Sequence, residues 1–450
     1  LAHLTAVGVE GCGAAVTDDT IFALSTAPGK AGVAVVRLSG PGSQPGLQAL
    51  TRREAPPPRT AVLRSIRDRE GRLIDRGLVL WFPAPQSFTG EDCVEFHIHG
   101  GRAVVQALLD ALGALPGFRL AEAGEFTRRA FHNQRLDLTA IEGLADLIAA
   151  ETDSQFRLAQ QQAGGHLARR IEEWRGRLVR VLAHVEAEID FPEDDLPGGL
   201  SAAARNTVLS VSEELAAVLG DAVRGERLRD GFSVAILGAP NAGKSSLLNA
   251  LVQRDVAIVS ALPGTTRDIV EAHLDLGGYA LILADTAGLR ASADEIESEG
   301  IRRALARAEA ADLRLWLVDA TDPQLPPAAQ KGEYIIVFNK IDLVEPAHIP
   351  PGALSVSVRT GFGMDALKAR LLAWLSEQGG TAAPPLVARE RQRNGLAQCR
   401  TALGEALQQQ AAELAAESIR EAVRALGRLT GRVDPEDLLD VIFRDFCIGK

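Results

Sequence analysis

The stretch Gly238-Ala239-Pro240-Asn241-Ala242-Gly243-Lys244-Ser245-Ser246 decides how this chain folds. It follows the apolar run Ser233-Val234-Ala235-Ile236-Leu237 and opens into the helix-like Leu247-Leu248-Asn249-Ala250-Leu251-Val252. Glycines let backbone N–H groups wrap phosphates at a helix N-terminus, a lysine offsets charge on the β- and γ-oxygens, and a serine hydroxyl binds Mg²⁺. Between a strand and a helix, the segment reads as a phosphate-binding loop rather than a chance glycine-rich turn. Asn241, Ala242, Gly243, Lys244, Ser245 and Ser246 are its candidate contacts.

Further motifs follow at strand ends, in the order a GTPase requires. Asp285-Thr286-Ala287-Gly288 comes after Ala280–Ala284 and offers a carboxylate near Mg²⁺ and a glycine N–H beside the γ-phosphate. Asn339-Lys340-Ile341-Asp342 comes after Tyr334–Phe338. Asp342 can accept from guanine N1–H and N2–H₂, a donor pair that adenine lacks. Ser357-Val358-Arg359 is a candidate backbone clamp on guanine O6. Together they favour GTP and GDP over the substrates of an ATPase or kinase. Leu289 stands where Ras-type enzymes hold the glutamine that orients the attacking water, so another group must do that work. Asn241 with Ser260-Ala261-Leu262-Pro263-Gly264-Thr265-Thr266-Arg267-Asp268 is a candidate monovalent-cation site. Glu297 is a candidate for orienting water, and its other reading is a solvated helix carboxylate.

At 450 residues the chain is long enough for two to four domains, on a prior of roughly 100–200 residues each. No apolar run approaches the roughly 20 residues needed to span a bilayer, and no signal peptide is evident in the N-terminal stretch, which reads as a loose end. The four cysteines, at 12, 93, 399 and 447, lack CxxC pairing, which suggests a reducing compartment and a cytoplasmic protein without membrane attachment. A net charge of −11 argues against indiscriminate nucleic-acid binding. A local basic patch remains open among the arginines at 128, 129, 135, 157, 169, 170, 175, 177 and 180, against their reading as a solvated helix face.

Residues 19–133 carry alternating or β-branched runs such as Val33–Leu38 and Val94–Ile98 and read as an α+β module. From Leu136 to Ile189, apolar residues at 171, 174, 178, 181/182, 185 and 189 mark one helix face, stopped by Phe191-Pro192-Glu193-Asp194-Asp195. A second helical stretch begins near 390, with Leu403, Leu407, Leu414, Val423, Leu426 and Leu429 on a similar period. Between them, strand and helix patterns alternate as in a parallel α/β sheet. The expected organisation is a loose tail 1–18, an N-terminal module 19–133, a helical domain in two pieces (134–229 and 379–450) and a G domain 230–378.

The G motifs, the Gly264–Asp268 loop and the terminal Phe446-Cys447-Ile448-Gly449-Lys450 together resemble the MnmE family, also called TrmE, of tRNA-modification GTPases. The resemblance runs from Asp19 to Lys450 and includes the segments 19–40, 87–101 and 123–138. It implies a multidomain α+β and α/β chain: an N-terminal α+β folate-binding and dimerising domain, a discontinuous helical domain, and an inserted Ras-like P-loop G domain. It further implies a homodimer whose G domains are activated by K⁺-dependent dimerisation. Asn241, Ser260, Leu262 and Thr265 would be K⁺ ligands, Ser245 and Thr266 Mg²⁺ ligands, Glu297 a base-like residue, and Arg267 and Asp268 switch-loop residues.

The same resemblance puts a 5-formyl- or 5,10-methylene-tetrahydrofolate site at Arg37, Glu95, Arg135 and Lys450, with Cys447 as a catalytic thiol. Arg stands at 135 where the family pattern often has Lys, a planar fork in place of a point donor. The implied reaction adds a carboxymethylaminomethyl or aminomethyl group at C5 of the wobble uridine (U34) of certain tRNAs. Its partner would be the flavoprotein MnmG, which holds FAD and NADH, in a heterotetrameric or larger complex. A regulatory GTPase of the Era or EngA type, acting in ribosome assembly, would share the middle segment but not the N-terminal module or the tail. A third reading makes the N-terminal half a folate scaffold and the GTPase a clock. Taken alone, Cys447-Ile448-Gly449-Lys450 also fits the outline of a prenylation box. The terminal Lys and the acidic residues before it argue against that, and a packed structural cysteine is the simpler alternative.

Overall fold

A computed structural model of the chain describes residues 19–190, 200–254, 257–258, 271–285, 310–326, 333–345, 350–351, 353–380, 383–433, 439, 442 and 449. It comprises two compact units, Leu1–Ala145 with Gly427–Lys450, and Asp146–Leu426.

The first unit is built on β1 (Thr20–Leu24), β2 (Ala31–Ser39), β3 (Val62–Arg67), β4 (Leu73–Phe82), β5 (Cys93–Gly100) and β6 (Phe118–Leu120), in the sheet order β3-β4-β5-β2-β1-β6. Helices α1 (Ser43–Thr51) and α2 (Arg102–Gly113) pack on it. Alternation explains why one face is covered. Val36, Leu38, Val94, Phe96 and Ile98 form its core, while Arg37, Glu95 and His97 occupy the intervening positions and so the opposite face. Val33–Leu38 and Val94–Ile98 extend by one or two residues at each end into β2 and β5. β3, β4 and β6 carry too many charges, or are too short, to stand out by periodicity.

In the second unit β7 (Phe232–Gly238), β8 (Ala257–Ile258), β9 (Glu271–Leu276), β10 (Tyr279–Asp285), β11 (Leu313–Asp319), β12 (Tyr334–Asn339) and β13 (Leu354–Ser355) take the order β13-β12-β11-β7-β10-β9-β8. Pairing is parallel from β10 through β13, and β9 joins β10 antiparallel. This is the Ras-like arrangement expected for the middle segment. The run expected over Leu354–Ser357 is a strand only to Ser355, because Ser357 turns back to accept from the Gly361 N–H at 2.8 Å.

The helical pattern expected over Leu136–Ile189 resolves into Leu138–Ala149, Asp153–Ala163 and His166–Asp190. Thr152 starts the second of these with a reciprocal capping box to Gln155. Ile171, Trp174, Leu178, Val181 and Val185 are buried along the third, as their spacing requires. The C-terminal stretch is likewise two helices, Glu390–Gln408 and Ala412–Thr430. Leu414 does not belong to the buried face: it is 57% exposed, and Ala415, Ala416, Ile419, Ala422, Ala425, Leu426 and Leu429 are covered instead. A stripe rich in alanine escapes a reading that follows only Leu and Val. Glu390–Gln408 packs on Ala202–Gly220, so helices on either side of the sheet in sequence meet in space.

Candidate functional site: a phosphate loop and a charged sheet face

β7 lies between β10 and β11: the chain goes from β7 to β8–β10 on one side and then to β11–β13 on the other, so the strand order reverses at β7. The carboxyl end of such a strand is where open α/β sheets bind ligands. Gly238 ends β7 at φ +141°, and any Cβ there would collide with the Leu317 carbonyl of β11. Gly243, at φ +97°, lies against the Asn339 amide. Asn241 adopts φ +63°, a left-handed conformation that Asn tolerates better than most residues. The loop therefore presents backbone rather than side chains, a cradle suited to phosphate. Helix Lys244–Arg254 starts at its end, and Lys244 Nζ crosses back to the carbonyls of Gly238 and Ala239 at 2.9 and 2.8 Å.

The candidate base-reading residues converge on the same end of the sheet. Asn339 Nδ2 donates to the Ala242 carbonyl at 2.8 Å, and its Oδ1 accepts from the Val358 N–H at 3.3 Å. Ser357 Oγ donates to Asp342 Oδ1 at 2.6 Å, while Arg359 pairs with Oδ2 at 2.7 Å. The Ser357 hydrogen bond, helped by Arg359, holds the Asp342 carboxyl below its usual range, so it is a ready acceptor at neutral pH. Lys340, at φ +62°, pairs with Asp319 Oδ2 at 2.5 Å. Burial alone would raise the Asp319 carboxyl, but hydrogen bonds from Lys340 and Thr321 outweigh it and lower it. Asp319 was not legible as a site residue: a lone acid ending a strand has no signature until the β11–β12 register sets it opposite Asn339. The backbone of Asp285 ends β10 opposite Ile236 of β7. The candidates Ser260–Asp268, Thr286, Ala287, Gly288 and Glu297 lie outside the described residues.

On the face of the first sheet opposite α1 and α2, partly covered by Phe88 and Phe126, Arg37 and Glu95 are cross-strand partners. The Arg37 Nε and Nη2 donate to Glu95 Oε1 at 3.0 and 2.9 Å, and His97 Nε2 lies 3.2 Å from Oε2. The Arg37 guanidinium also stacks near Phe88 and Phe126, 5.3 and 6.0 Å from their ring centroids. Gly90, at φ +82°, lies against the Arg135 stem, so Arg135 borders the loop that carries Phe88. Ser25, just beyond β1, donates to the Gly449 carbonyl at 3.0 Å, which ties the C-terminal tail to the strand next to Arg37. Cys447 and Lys450 lie outside the described residues. Phe88, Phe126 and His97 could not be picked from sequence, since aromatic and imidazole groups in strands and loops are usually packing residues.

Several arginines of the candidate basic patch are committed elsewhere. Arg129, with its side chain 7% exposed, pairs with Asp19, Glu91 and Glu125 at 2.8–3.2 Å. Arg170 and Arg177 share Glu214, which also accepts from Trp174 Nε1 at 2.8 Å. Arg129 is thereby withdrawn from a surface patch, whereas Arg170 and Arg177, 39% and 26% exposed, share one carboxylate between two cations and stay at the surface.

Residues 20–135 match the family model of the GTP-binding protein TrmE N-terminus, and residues 138–447 that of the MnmE helical domain. The tRNA modification GTPase MnmE of Parvibaculum lavamentivorans is 55% identical over 96% of this chain and 100% of its own length. The human mitochondrial 5-taurinomethyluridine-[tRNA] synthase subunit is 48% identical over 96% of this chain and 93% of its own. Among solved structures, Aquifex aeolicus Era bound to GDP and aluminium fluoride is 28% identical over 32% of this chain and 56% of that one, with a TM-score of 0.26. Full-length similarity at this level, joined to both family models, places the chain in the MnmE (TrmE) family of tRNA-modification GTPases.

Proposed function

We propose that this chain is a GTP-hydrolysing enzyme that, with a flavoprotein of the MnmG kind, adds a carboxymethylaminomethyl or aminomethyl group at C5 of the wobble uridine of certain tRNAs, taking the carbon from tetrahydrofolate. The observation that carries the GTP half is the clamp of Asn339 on Ala242 and Val358, which joins the phosphate loop to the base-reading strand ends. Asp342 receives the guanine N–H donors, Lys244 turns from the Gly238 and Ala239 carbonyls to the β- and γ-phosphates, and loop N–H groups hold the remaining oxygens. Ser245, with Thr266, suits Mg²⁺, which when bound neutralises charge on the phosphates. Asn241 suits K⁺ in a G-domain dimer, and Glu297 is proposed to orient water.

The folate half rests on Arg37 and Glu95. A carboxylate held by a guanidinium, itself packed against Phe88 and the buried Phe126, offers an acceptor to the amino-pyrimidinone edge of a pterin. Arg135 and Lys450 would complete the charge, and the tail would bring Cys447 to the one-carbon unit. Cycling between ordered and disordered switch-loop states would couple hydrolysis to modification. A cytoplasmic homodimer fits this reading. No helix among the described residues is long and apolar enough to cross a membrane. Mass spectrometry of tRNA nucleosides tests it: a strain lacking the gene should lose the modified wobble uridine and regain it with this chain. An unmodified uridine after complementation sinks the reading. Equal GTPase rates in K⁺ and Na⁺ would remove only the cation site.

A further inference from the structure

A hollow of about 570 Å³ opens along β3, and five arginines border it: Arg52, Arg53, Arg64, Arg67 and Arg76. No acidic side chain lines it, although the chain as a whole carries a charge of −11. None of the five makes an ion pair among the described residues, whereas Arg37, Arg119, Arg129, Arg224 and Arg393 all do. Like charges this close repel one another, and the fold keeps them together without a counter-charge of its own.

The arrangement is built rather than accidental. Arg52 ends α1 in the left-handed region at φ +54°, where the chain turns toward Arg53. Its guanidinium lies over Gly71, at φ +90°, in the space a side chain there would fill. Arg67 Nη1 donates to the carbonyl of the same Gly71 at 3.0 Å, so the β3–β4 turn holds two of the five. Arg76 is the cross-strand partner of Ser65, and a register irregularity lies between Ile66 and Arg67. Arg64 Nε is shielded from solvent and has no hydrogen-bond partner. The rest of that guanidinium reaches the surface, where Nη1 donates to the Leu63 carbonyl at 3.4 Å, so an anion can approach the fork from outside. β3 is the edge of its sheet, so an extended strand adds backbone donors along the same line.

We propose that this hollow binds consecutive phosphates of an RNA backbone, the sequence-independent part of tRNA recognition. The inference rests on the tRNA-modifying reading above. Planar guanidinium forks match phosphate oxygens two at a time, and a row of them follows a polyanion better than it holds one small anion. The bland alternative is that edge arginines merely discourage strand-to-strand association.

The test uses the full chain and an unmodified tRNA transcript, with binding followed by fluorescence anisotropy between about 50 and 200 mM salt. The Arg64→Gln/Arg67→Gln variant should bind roughly tenfold more weakly, with a log–log salt slope shallower by about 1.5, two lost contacts at roughly 0.7–0.9 each. GTP hydrolysis should be unchanged. The exposed pair Arg53→Gln/Arg76→Gln, which leaves the shielded guanidinium in place, should act in the same direction should the first variant fold poorly. Equal affinity and slope in both variants overturns the proposal, as does a wild-type chain that ignores tRNA at low salt. Self-association of the variants with unchanged tRNA binding assigns the arginines to edge protection. Calorimetry with inorganic phosphate that shows tight binding, lost in the variants while tRNA affinity holds, assigns the hollow to a small anion. If wild type binds tRNA through these arginines yet fails to restore the modified uridine, the broader reading fails and this one stands.

Discussion

The Asn339 side-chain amide donates to the Ala242 carbonyl across 2.8 Å, so the strand end proposed to read the base holds the loop proposed to cradle the phosphates. Replacing Asn339 by Ala leaves the Ala242 carbonyl and the Val358 N–H without their partner, at a cost of about 1–3 kcal/mol for each buried group left unpaired. Titration with a fluorescent guanine nucleotide should show affinity falling by at least about 30-fold, since the two costs together come to about 2 kcal/mol or more. Unchanged affinity would mean that the two halves of the site are held by something else.

Asp342 is the residue proposed to set the choice of base. With Ser357 and Arg359 keeping it ionised, its carboxylate would accept from a guanine edge that donates twice. Asp342→Asn converts half of that acceptor into a donor. It should weaken GTP by about 10–100-fold, on roughly 1.5–3 kcal/mol for hydrogen bonds to a charged group, and improve XTP, whose C2 carries an oxygen. Competition binding with GTP and XTP measures the swap. A loss of both nucleotides together would mean that the loop has collapsed instead.

How much of this was visible in the sequence depended on whether the chemistry lay within one stretch. The phosphate loop and Asp342 were legible because a local segment between a strand and a helix fixes their geometry. Arg37 and Glu95 are 58 positions apart, and only the β2–β5 register joins them. A single Arg or Glu in a strand gives no sign of that, so the pair entered through the family resemblance. Arg129 shows the converse: beside Arg128 it reads as surface charge, yet Asp19 and Glu91 from distant segments, with Glu125 one turn back on its own helix, enclose it. Leu414 failed for a third reason, since alanine can cover a helix face as well as leucine where elements approach closely.

The carboxylates around Arg119 and Arg129 predict a pH dependence. Burial alone would raise Asp19 and Glu125, but hydrogen bonds from Arg119 and Arg129, with one from the Glu122 N–H to Glu125, outweigh it and lower both below their ordinary 3.8 and 4.5. A carboxyl lowered in the folded state adds stability that is complete above its unfolded pKa and is lost as pH falls through the folded value. Glu125→Gln should therefore melt below wild type at pH 6, and the gap should narrow as the pH falls below the ordinary 4.5 and through the lowered folded value. A gap that stays constant in thermal melts across that range would show that the ion pairs add nothing.

The tail contact gives the sharpest separation between the two proposed activities. Gly449 sits at φ +100°, and a Cβ there would collide with the Leu24 carbonyl while Ser25 holds the Gly449 carbonyl. Gly449→Ala meets both a backbone conformation that L-residues avoid and a blocked approach, so it should release the tail from the end of β1. Ser25→Ala removes only the hydrogen bond, worth about 0.5–1.5 kcal/mol, and should have a weaker form of the same effect. If the tail brings Lys450 and Cys447 to the Arg37–Glu95 site, Gly449→Ala should lower 5-formyltetrahydrofolate affinity and wobble-uridine modification by at least about tenfold, since a displaced contact of 1.4 kcal/mol already amounts to that. GTP affinity and K⁺-stimulated hydrolysis should be unchanged. Calorimetry with the folate, beside nucleoside mass spectrometry, separates the outcomes. Full modification by Gly449→Ala would make the tail a structural strap, and loss of GTPase together with modification would place it in the hydrolytic cycle.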